Sequence, residues 1–181
     1  MRVLGGTSKG KKIKTPPGSL TRPTSARVKN SLFGMLCTRI DFFGITVLDL
    51  FAGSGSLGLE AISRGASQVE FVDSAHSVVQ VLKQNIAGIP PDVARTTAIK
   101  SPALAYLKNR ISANAHYDLI FCDPPYLFDD WNELLGHVIQ VTTEDSIIVI
   151  ESDREVNLPE GLSVLKVKDY GSTVIILASL A

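Results

Sequence analysis

One stretch restricts the possible folds of this chain more than any other: Thr46 to Gly58, which reads TVLDLFAGSGSLG. The apolar residues on either side of Asp49 are typical of a parallel strand that is buried on both faces. Gly53, Gly55 and Gly58 follow with the spacing G-x-G-x-x-G, and an apolar helix start comes after them. A strand, a glycine turn and a helix in this order allow backbone N–H groups and a helix N-terminus to face a bound nucleotide.

Two carboxylates indicate which nucleotide cofactor this turn would hold. Asp73 ends a second apolar segment, 68–72, and could accept both hydroxyls of a ribose, as in sites for nicotinamide dinucleotides or S-adenosylmethionine. Asp49 lies inside the first strand, where a nicotinamide site usually carries only aliphatic residues, and a carboxylate there suits a cationic sulfonium compound. We therefore predict an S-adenosylmethionine site formed by Asp49, Phe51, Ala52, Gly53, Ser54, Gly55, Asp73 and Ser74.

The rest of the chain alternates between strand and helix patterns. Further strands are predicted at 95–99, 118–122 and 146–151, with helices at 74–85, 103–110 and 131–142. The segments 162–167 and 173–180 are predicted to form a hairpin around Gly171. The predicted fold is therefore α/β, a Rossmann-like S-adenosylmethionine-dependent methyltransferase fold. Its mostly parallel seven-stranded sheet is closed by a C-terminal antiparallel hairpin, and a small basic N-terminal extension precedes it.

The motif Asp123-Pro124-Pro125-Tyr126 follows an apolar strand and is therefore expected at the same sheet edge as the glycine turn. An exocyclic amine on a nucleobase is a poor nucleophile because its lone pair is delocalised into the ring. The Asp123 carboxylate and the Pro124 carbonyl could accept its two hydrogens and aim the lone pair at a methyl group. The two prolines fix the backbone, and Tyr126 offers a ring for stacking. We predict that these four residues are catalytic; a diproline turn that merely ends a strand is the alternative.

The charges of the chain are unevenly distributed. Residues 1–40 contain nine basic side chains and no acidic one, whereas residues 41–181 carry the other nine basic groups and all 18 acidic ones. This asymmetry predicts an RNA-contacting hairpin and helix in residues 1–40 and a catalytic domain in 41–181. The helix is expected to be capped by Thr24 or Ser25. A solvated basic face without a partner is the alternative. The predicted RNA contacts are Lys9, Lys11, Lys12, Lys14, Arg22 and Arg27.

Composition limits the remaining possibilities. At 181 residues the chain fits one domain with a small appendage, and no apolar run approaches the ~18 residues of a membrane span. Cys37 and Cys122 lie in apolar segments, which predicts reduced packing residues of a cytoplasmic protein. The three histidines lack any diagnostic spacing, so no metal site is predicted. We expect a cytoplasmic monomer with no membrane contact.

The chain resembles the bacterial 16S ribosomal RNA guanine-N2 methyltransferases of the RsmD type in four segments: TRPTSARVKNSLFGML, VLDLFAGSGSLGLEAISRGA, YDLIFCDPPY and YGSTVI. The similarity covers essentially the whole chain. The resemblance implies transfer of a methyl group from S-adenosylmethionine to the N2 amine of a guanine in 16S RNA, on an assembled or partly assembled small-subunit particle.

The chain departs from that family at the end of the third strand. Where the family commonly has an aspartate that contacts adenine, this chain reads Lys100-Ser101-Pro102-Ala103-Leu104, and Pro102 has no side-chain acceptor. Ser101, backbone groups or an apolar wall would then have to recognise the adenine, so Ser101 joins the predicted cofactor residues.

Three other functions compete with this interpretation. The first is an adenine-N6 DNA methyltransferase, which shares the catalytic motif but normally needs a separate target-recognition segment. The second is a catalytically idle RNA-binding assembly factor, which Pro102 would favour. The third is a nicotinamide oxidoreductase, for which the Asp-Pro-Pro motif would have to be accidental.

Two side chains receive structural predictions: Glu60 forms a surface pair with Arg64, and Trp131 anchors the helix after the motif or stacks at the site.

Overall fold

The structure is a computed structural model that describes residues 1–16, 25–90, 93–126 and 128–181. Twelve helices and strands follow one another in these parts of the chain. They are α1 (Ala26–Leu36), β1 (Thr46–Leu50), α2 (Ser56–Arg64), β2 (Gln68–Asp73), α3 (His76–Ile86), β3 (Arg95–Lys100), α4 (Ala103–Ser112), β4 (Tyr117–Cys122), α5 (Trp131–Ile139), β5 (Thr142–Ser152), β6 (Leu162–Asp169) and β7 (Val174–Leu180).

The strands form one seven-stranded sheet with the order β3-β2-β1-β4-β5-β7-β6. Strands β1 to β5 are parallel to one another, and β7 runs antiparallel to both β5 and β6. The strand order reverses between β1 and β4, which pair directly and in register from Val47 with Leu119 to Leu50 with Cys122. The predicted parallel sheet with its closing antiparallel hairpin is confirmed, and the reversal brings two carboxyl strand ends together.

Alternating side chains of the central strands fill two cores, one on each face of the sheet. Val47 and Phe121 face the core that includes residues of α1, α2 and α3. Leu48 and Cys122 face the other core, which includes residues of α4 and α5. The sheet is thus covered on both faces, so its open carboxyl edge remains as the place where loops can build a site.

The N-terminal residues form the predicted short hairpin. Arg2 and Lys12 form an antiparallel bridge, and Val3 and Ile13 lie in the same core as α1 and α2. Helix α1 begins after Ser25, whose Oγ accepts a hydrogen bond from the Val28 N–H at 3.2 Å. The predicted cap at Thr24 and the predicted RNA contact at Arg22 lie outside the described residues.

Several predicted boundaries were wrong, most of all at the end of α5. The helix ends at Ile139, and β5 begins at Thr142 rather than 146, because Thr142 pairs with Tyr117 of β4. Tyr117, just before the predicted strand at 118–122, is the first residue of β4. Cys122 is buried as predicted, but Cys37 is exposed.

The predicted surface pair of Glu60 and Arg64 exists, but its carboxylate is buried. Glu60 is 0% exposed and also pairs with Lys29, with an Nζ–Oε2 distance of 3.3 Å. The basic side chain of Lys29 is therefore enclosed between α1 and α2. Glu60 lies on the face of α2 that contacts the N-terminal hairpin. An i,i+4 charge pattern alone cannot show that a distant segment of the chain buries the pair.

No helix in the described parts of the chain is both long enough and apolar enough to span a membrane.

Candidate active site at the carboxyl edge of the sheet

A cavity of about 470 Å³ opens where the carboxyl ends of β1, β2, β4 and β5 meet. The segments that follow these strands supply most of its walls, and the N-terminal hairpin and Thr173, from the turn between β6 and β7, supply the rest. Its lining residues are Met1, Thr15, Pro16, Asp49, Phe51, Ala52, Gly53, Ser54, Ser56, Leu57, Asp73, Ser74, Ala75, Ser77, Val78, Asp123, Pro124, Pro125, Tyr126, Phe128, Trp131, Glu151, Ser152, Asp153 and Thr173.

The turn after β1 is held against the end of β2 by backbone hydrogen bonds. The Gly53 N–H donates to Asp73 Oδ2 at 3.0 Å, and the Ala52 N–H donates to the Val72 carbonyl at 2.8 Å. Asp73 Oδ1 also accepts from the Ala75 N–H at 2.9 Å. Each carboxylate oxygen has a second lone pair, so Asp73 can still accept hydroxyl hydrogens from a ligand in the cavity.

Two backbone features make this turn tight. Phe51 has a φ of 60°, a conformation that non-glycine residues adopt at a cost and that clusters at functional sites. Gly55 has a φ of 79° and caps α2, and a Cβ at this position would lie 2.6 Å from Leu82 Cδ1. Glycine is therefore required at position 55 by both conformation and space, although this residue does not itself line the cavity.

Gly58 allows α2 to pack closely on the sheet. A Cβ there would lie 2.3 Å from Cε1 of Phe71 in β2. The Gly58 N–H donates to Asp49 Oδ2 at 2.9 Å, which connects the start of α2 to the centre of β1. The third glycine of the motif thus positions the helix rather than lining the cavity.

Asp49 is a buried carboxylate in the cavity floor. Burial raises its pKa from 3.8 to about 8, against the lowering effect of the Gly58 hydrogen bond, and the nearby negative charge of Asp73 raises it further. A positively charged ligand in the cavity would favour the ionised form of Asp49 and would itself be stabilised.

The catalytic motif predicted from the sequence forms the wall opposite the glycine turn. Pro124 is buried, Asp123 is partly buried, and the Tyr126 ring is 52% exposed. The side chain of Arg154 holds the following loop, because it donates to the Phe128 carbonyl at 2.9 Å and to Asp129 Oδ1 at 2.6 Å. A carboxylate, a backbone carbonyl and an exposed aromatic ring therefore border the same space.

Three aromatic rings form one side of the cavity. The centroids of Phe51 and Phe128 lie 5.6 Å apart, and those of Phe128 and Trp131 lie 5.3 Å apart, both pairs in edge-to-face geometry. Trp131 begins α5 and is buried, consistent with an anchoring role in packing. An apolar wall beside the carboxylates Asp49 and Asp73 could hold the flat adenine ring of S-adenosylmethionine.

The structure brings most of the predicted site residues together. Of the predicted cofactor residues, all line the cavity except Gly55, which is placed under it, and Ser101. Ser101 follows β3, and its N–H donates to the Asp73 carbonyl while its hydroxyl donates to the Pro102 carbonyl. All four residues of the predicted catalytic motif line the cavity.

The predicted RNA contacts lie on two elements. Lys9, Lys12 and Lys14 are exposed on the N-terminal hairpin, and Lys11 is partly buried there. The hairpin ends reach the cavity through Met1, Thr15 and Pro16. Arg27 is exposed on the first turn of α1 and lines a second cavity of about 460 Å³ next to the first.

Sequence reasoning missed the contribution of the fifth strand. Glu151, Ser152 and Asp153 line the cavity at the end of β5, and Thr173 does so from the closing hairpin. Part of the signal was available, since the predicted strand at 146–151 ends in an acidic residue and is followed by Ser152 and Asp153, but its place beside β4 was not predicted. In the described parts of the chain, no group of three or more His, Cys, Asp or Glu residues could hold a metal ion.

The cavity fits S-adenosylmethionine by size, charge and polarity. Its volume falls in the range of small-molecule sites, and its lining combines an apolar wall with a few polar groups. Asp49 would lie near the cationic end and Asp73 near the ribose, and the two carboxylates are on adjacent strands. The residues present therefore suit the cofactor that the sequence predicts.

Comparisons with known proteins agree with this fold. The family model described as Conserved hypothetical protein 95 matches residues 1–179. YlbH from Bacillus subtilis is 38% identical over 178 residues, which cover 96% of this chain and 95% of YlbH. Ribosomal RNA small subunit methyltransferase D from Haemophilus influenzae is 32% identical over 179 residues, which cover 94% of this chain and 89% of that protein.

Solved structures show the same architecture. The protein yhhF from Escherichia coli superposes with a TM-score of 0.85 at 30% identity, covering 99% of this chain and 97% of yhhF. SMU.776, whose crystal structure is described as complexed with SAH, shares the fold with a TM-score of 0.67 at 15% identity over 85% of this chain and 48% of its own. The chain belongs to the Conserved hypothetical protein 95 family and, as its motifs predicted, to the family of the ribosomal RNA small subunit methyltransferases D.

Proposed function

We propose that this protein transfers a methyl group from S-adenosylmethionine to the exocyclic N2 amine of a guanine in 16S ribosomal RNA of the small subunit. One observation carries the proposal: the glycine turn with Asp49 and Asp73 and the motif from Asp123 to Tyr126 line the same cavity. A methyl donor and a nucleobase could therefore meet there. The relatives named as ribosomal RNA methyltransferases support RNA as the substrate.

The residues of the chain have separate roles in this reaction. When bound, S-adenosylmethionine supplies a methyl group on a positively charged sulfur, an electrophile that a weak nucleophile can attack. Asp49 balances positive charge in the floor of the cavity, and Asp73 holds hydroxyl groups. Phe51 and Phe128 exclude water from one side.

The acceptor amine is prepared by the catalytic motif. The Asp123 carboxylate and the Pro124 carbonyl each accept one hydrogen of the guanine N2 amine, which directs the nitrogen lone pair towards the methyl donor. Tyr126 stacks on the guanine ring outside the RNA helix. The proton released after transfer passes to the Asp123 carboxylate, which is partly exposed and can exchange it with solvent.

Two alternatives keep the same fold. An adenine-N6 DNA methyltransferase would use the same four residues, but the relatives that cover most of the chain carry ribosomal RNA names. A catalytically idle assembly factor would bind RNA without transfer. Both alternatives differ from the proposal in their product.

The experiment uses small-subunit particles from cells that lack the protein, with the purified protein and tritiated S-adenosylmethionine. The expected product after nuclease digestion is labelled N2-methylguanosine at a single site, and parallel assays use naked 16S RNA and duplex DNA. Labelled N6-methyladenosine would favour the DNA enzyme, and binding without any label would favour the assembly factor.

A further inference from the structure

The second cavity shares part of its lining with the candidate active site. Tyr126, Glu151 and Thr173 border both cavities, so the two spaces meet at the end of β5 beside the catalytic motif. The second cavity lies between the start of α1 and the turn from β6 to β7. A ligand that occupies it would reach the catalytic motif from the side away from the glycine turn.

Glu151 is placed at this junction by the pairing of two strands. Cys122 of β4 pairs with Ile150 of β5, so the next residues, Asp123 and Glu151, are neighbours at the sheet edge. Phe121 and Val149 face the same core, and because side chains alternate, Asp123 and Glu151 follow them on that face. Glu151 is only 8% exposed. Its carboxylate is thus held next to the group that would accept hydrogens from guanine N2.

Guanine and adenine present different atoms at this position. Guanine carries an N1–H directly beside its N2 amine, and a carboxylate can accept from it. Adenine and 2-aminopurine have a lone pair at N1, which a carboxylate repels. A charged acceptor beside Asp123 therefore favours guanine and disfavours bases without a hydrogen at N1.

We propose that Glu151 selects guanine by accepting its N1–H, and that the acceptor nucleotide enters through the second cavity. This inference rests on the proposed function and adds a specificity residue to it. Arg27 and Lys168 line the second cavity and can contact the phosphates of the nucleotide. Lys168 Nζ lies 2.8 Å from Ser31 Oγ and 5.4 Å from the centre of the Tyr170 ring.

The other acidic side chain of the second cavity has a structural role. Asp169 Oδ1 accepts from the Gly171 N–H at 2.6 Å and so stabilises the turn between β6 and β7. Asp169 lines only the second cavity, whereas Glu151 lines both, so Glu151 is the carboxylate at the junction of the two cavities.

The test compares RNA fragments with three bases at the target position, which footprinting of the bound RNA locates without any transfer: guanine, inosine and 2-aminopurine. Inosine keeps the N1–H but lacks the N2 amine, whereas 2-aminopurine keeps the amine but lacks the N1–H. Equilibrium affinities are measured without cofactor for the wild type and for Glu151→Gln. We expect the wild type to bind guanine about 10- to 100-fold more tightly than 2-aminopurine, the range of a hydrogen bond to a charged group. Inosine lacks the amine whose hydrogens Asp123 and Pro124 accept, so it should bind more weakly than guanine and reports that contact separately.

In Glu151→Gln the preference for guanine over 2-aminopurine should fall to within about threefold, because an amide can accept from an N1–H or donate to a bare N1. A parallel loss of affinity for all three RNAs, or an unchanged preference, would overturn the proposal. Glu155→Gln is the matched control, since Glu155 is exposed four residues along the same chain segment and lines neither cavity. It should retain the wild-type preference.

Two further measurements separate this inference from the proposed function. Melting temperature and S-adenosylmethionine affinity by calorimetry should be the same for Glu151→Gln and the wild type, which excludes a folding defect. If the wild type forms no N2-methylguanosine, the proposed function fails, whereas the affinity order is still measurable because it needs no transfer. Loss of the affinity order with N2-methylguanosine still formed contradicts only the role of Glu151.

Discussion

Lys29 Nζ and Glu60 Oε2 lie 3.3 Å apart with both side chains buried, which joins α1 to α2. The Glu60 carboxylate also accepts the N–H groups of Leu4 and Gly5 at 2.7 Å, and its Oε1 lies 2.9 Å from Arg64 Nη2. Burial lowers the pKa of Lys29, while the charge of Glu60 acts in the opposite direction. One carboxylate thus connects the N-terminal hairpin and both helices.

Replacing Glu60 by alanine should reduce the free energy of unfolding by about 3–5 kcal/mol, because the variant leaves the Lys29 charge buried without its partner. Urea unfolding followed by circular dichroism measures this change. Glu133→Ala is the matched control: Glu133 lies 3.4 Å from Lys108 in an exposed pair, and its loss should cost at most ~1 kcal/mol. Similar small costs at the two positions would show that Glu60 does not hold these elements together.

The contrast between Glu60 and Glu133 shows where sequence reasoning stops. The strand and helix periods, the glycine spacing and the closing hairpin all follow from local patterns, whereas the order of the strands in the sheet came from the structure. The burial of Glu60 depends on the N-terminal hairpin, which lies more than fifty positions away in the chain. The charge pattern of α2 contains no information about burial of Glu60 by this distant hairpin.

The same reason explains the errors around the site. Glu151 became a candidate only when β5 was seen beside β4, because the strand register sets which side chains flank Asp123. Ser101 was predicted to bind the cofactor because it lies next to the position where the family has an adenine-contacting aspartate. The cavity is instead lined by residues that follow β1, β2, β4 and β5, and Ser101 does not line it. Strand ends could be predicted, but the distances between them could not.

Asp49 makes the stability of the protein depend on pH. Its folded-state pKa of about 8 exceeds the ordinary 3.8, so between pH ~4 and ~8 the folded protein retains a proton that the unfolded chain has lost. This contribution to stability is fully present below pH ~4 and is lost as the pH rises through 8. Asp49→Asn imitates the protonated form and should melt higher than the wild type at pH 8.

The difference in melting temperature between Asp49→Asn and the wild type should therefore increase from pH 5 to pH 8. Each ~1 kcal/mol corresponds to about 2–4 °C in a protein of this size. Asp145→Asn, an exposed carboxylate on β5, is the control and should show no such trend. A constant difference for Asp49→Asn would mean that this carboxylate is already ionised in the folded protein.

Asp123 is predicted to act on the acceptor and not on the cofactor. Asp123→Ala should lower the transfer rate at least ~100-fold, the range found when one preorganised hydrogen-bonding group is removed. The affinity for S-adenosylmethionine, measured by calorimetry, should change less than about threefold. Asp130→Ala, at the exposed start of α5 and outside the cavity, should retain full activity. Rapid transfer by Asp123→Ala would require another acceptor for the amine hydrogens.

Pro102 is the N-cap residue of α4 and makes no side-chain hydrogen bond there. Pro102→Asp would add an acceptor for the free N–H groups of the first turn, which should raise the free energy of unfolding by about 0.5–2 kcal/mol. Pro102 does not line the cavity, so the substitution removes no contact with the cofactor, and cofactor affinity should stay equal or increase. Thermal melting and calorimetric titration measure both effects. A large loss of affinity would show that proline itself shapes the adenine site.

The basic hairpin should determine how RNA binding depends on salt. Replacing Lys9, Lys11, Lys12 and Lys14 by glutamine removes up to four phosphate contacts, each worth about 0.7 in the slope of log affinity against log salt for single-stranded RNA. The slope should therefore become shallower by up to about 2.8, measured by filter binding from 50 to 300 mM salt. Lys108→Gln is the control, because α4 covers the opposite face of the sheet from the hairpin. An unchanged slope in the hairpin variant would leave Arg27 and Lys168 as the basic groups on which RNA binding depends.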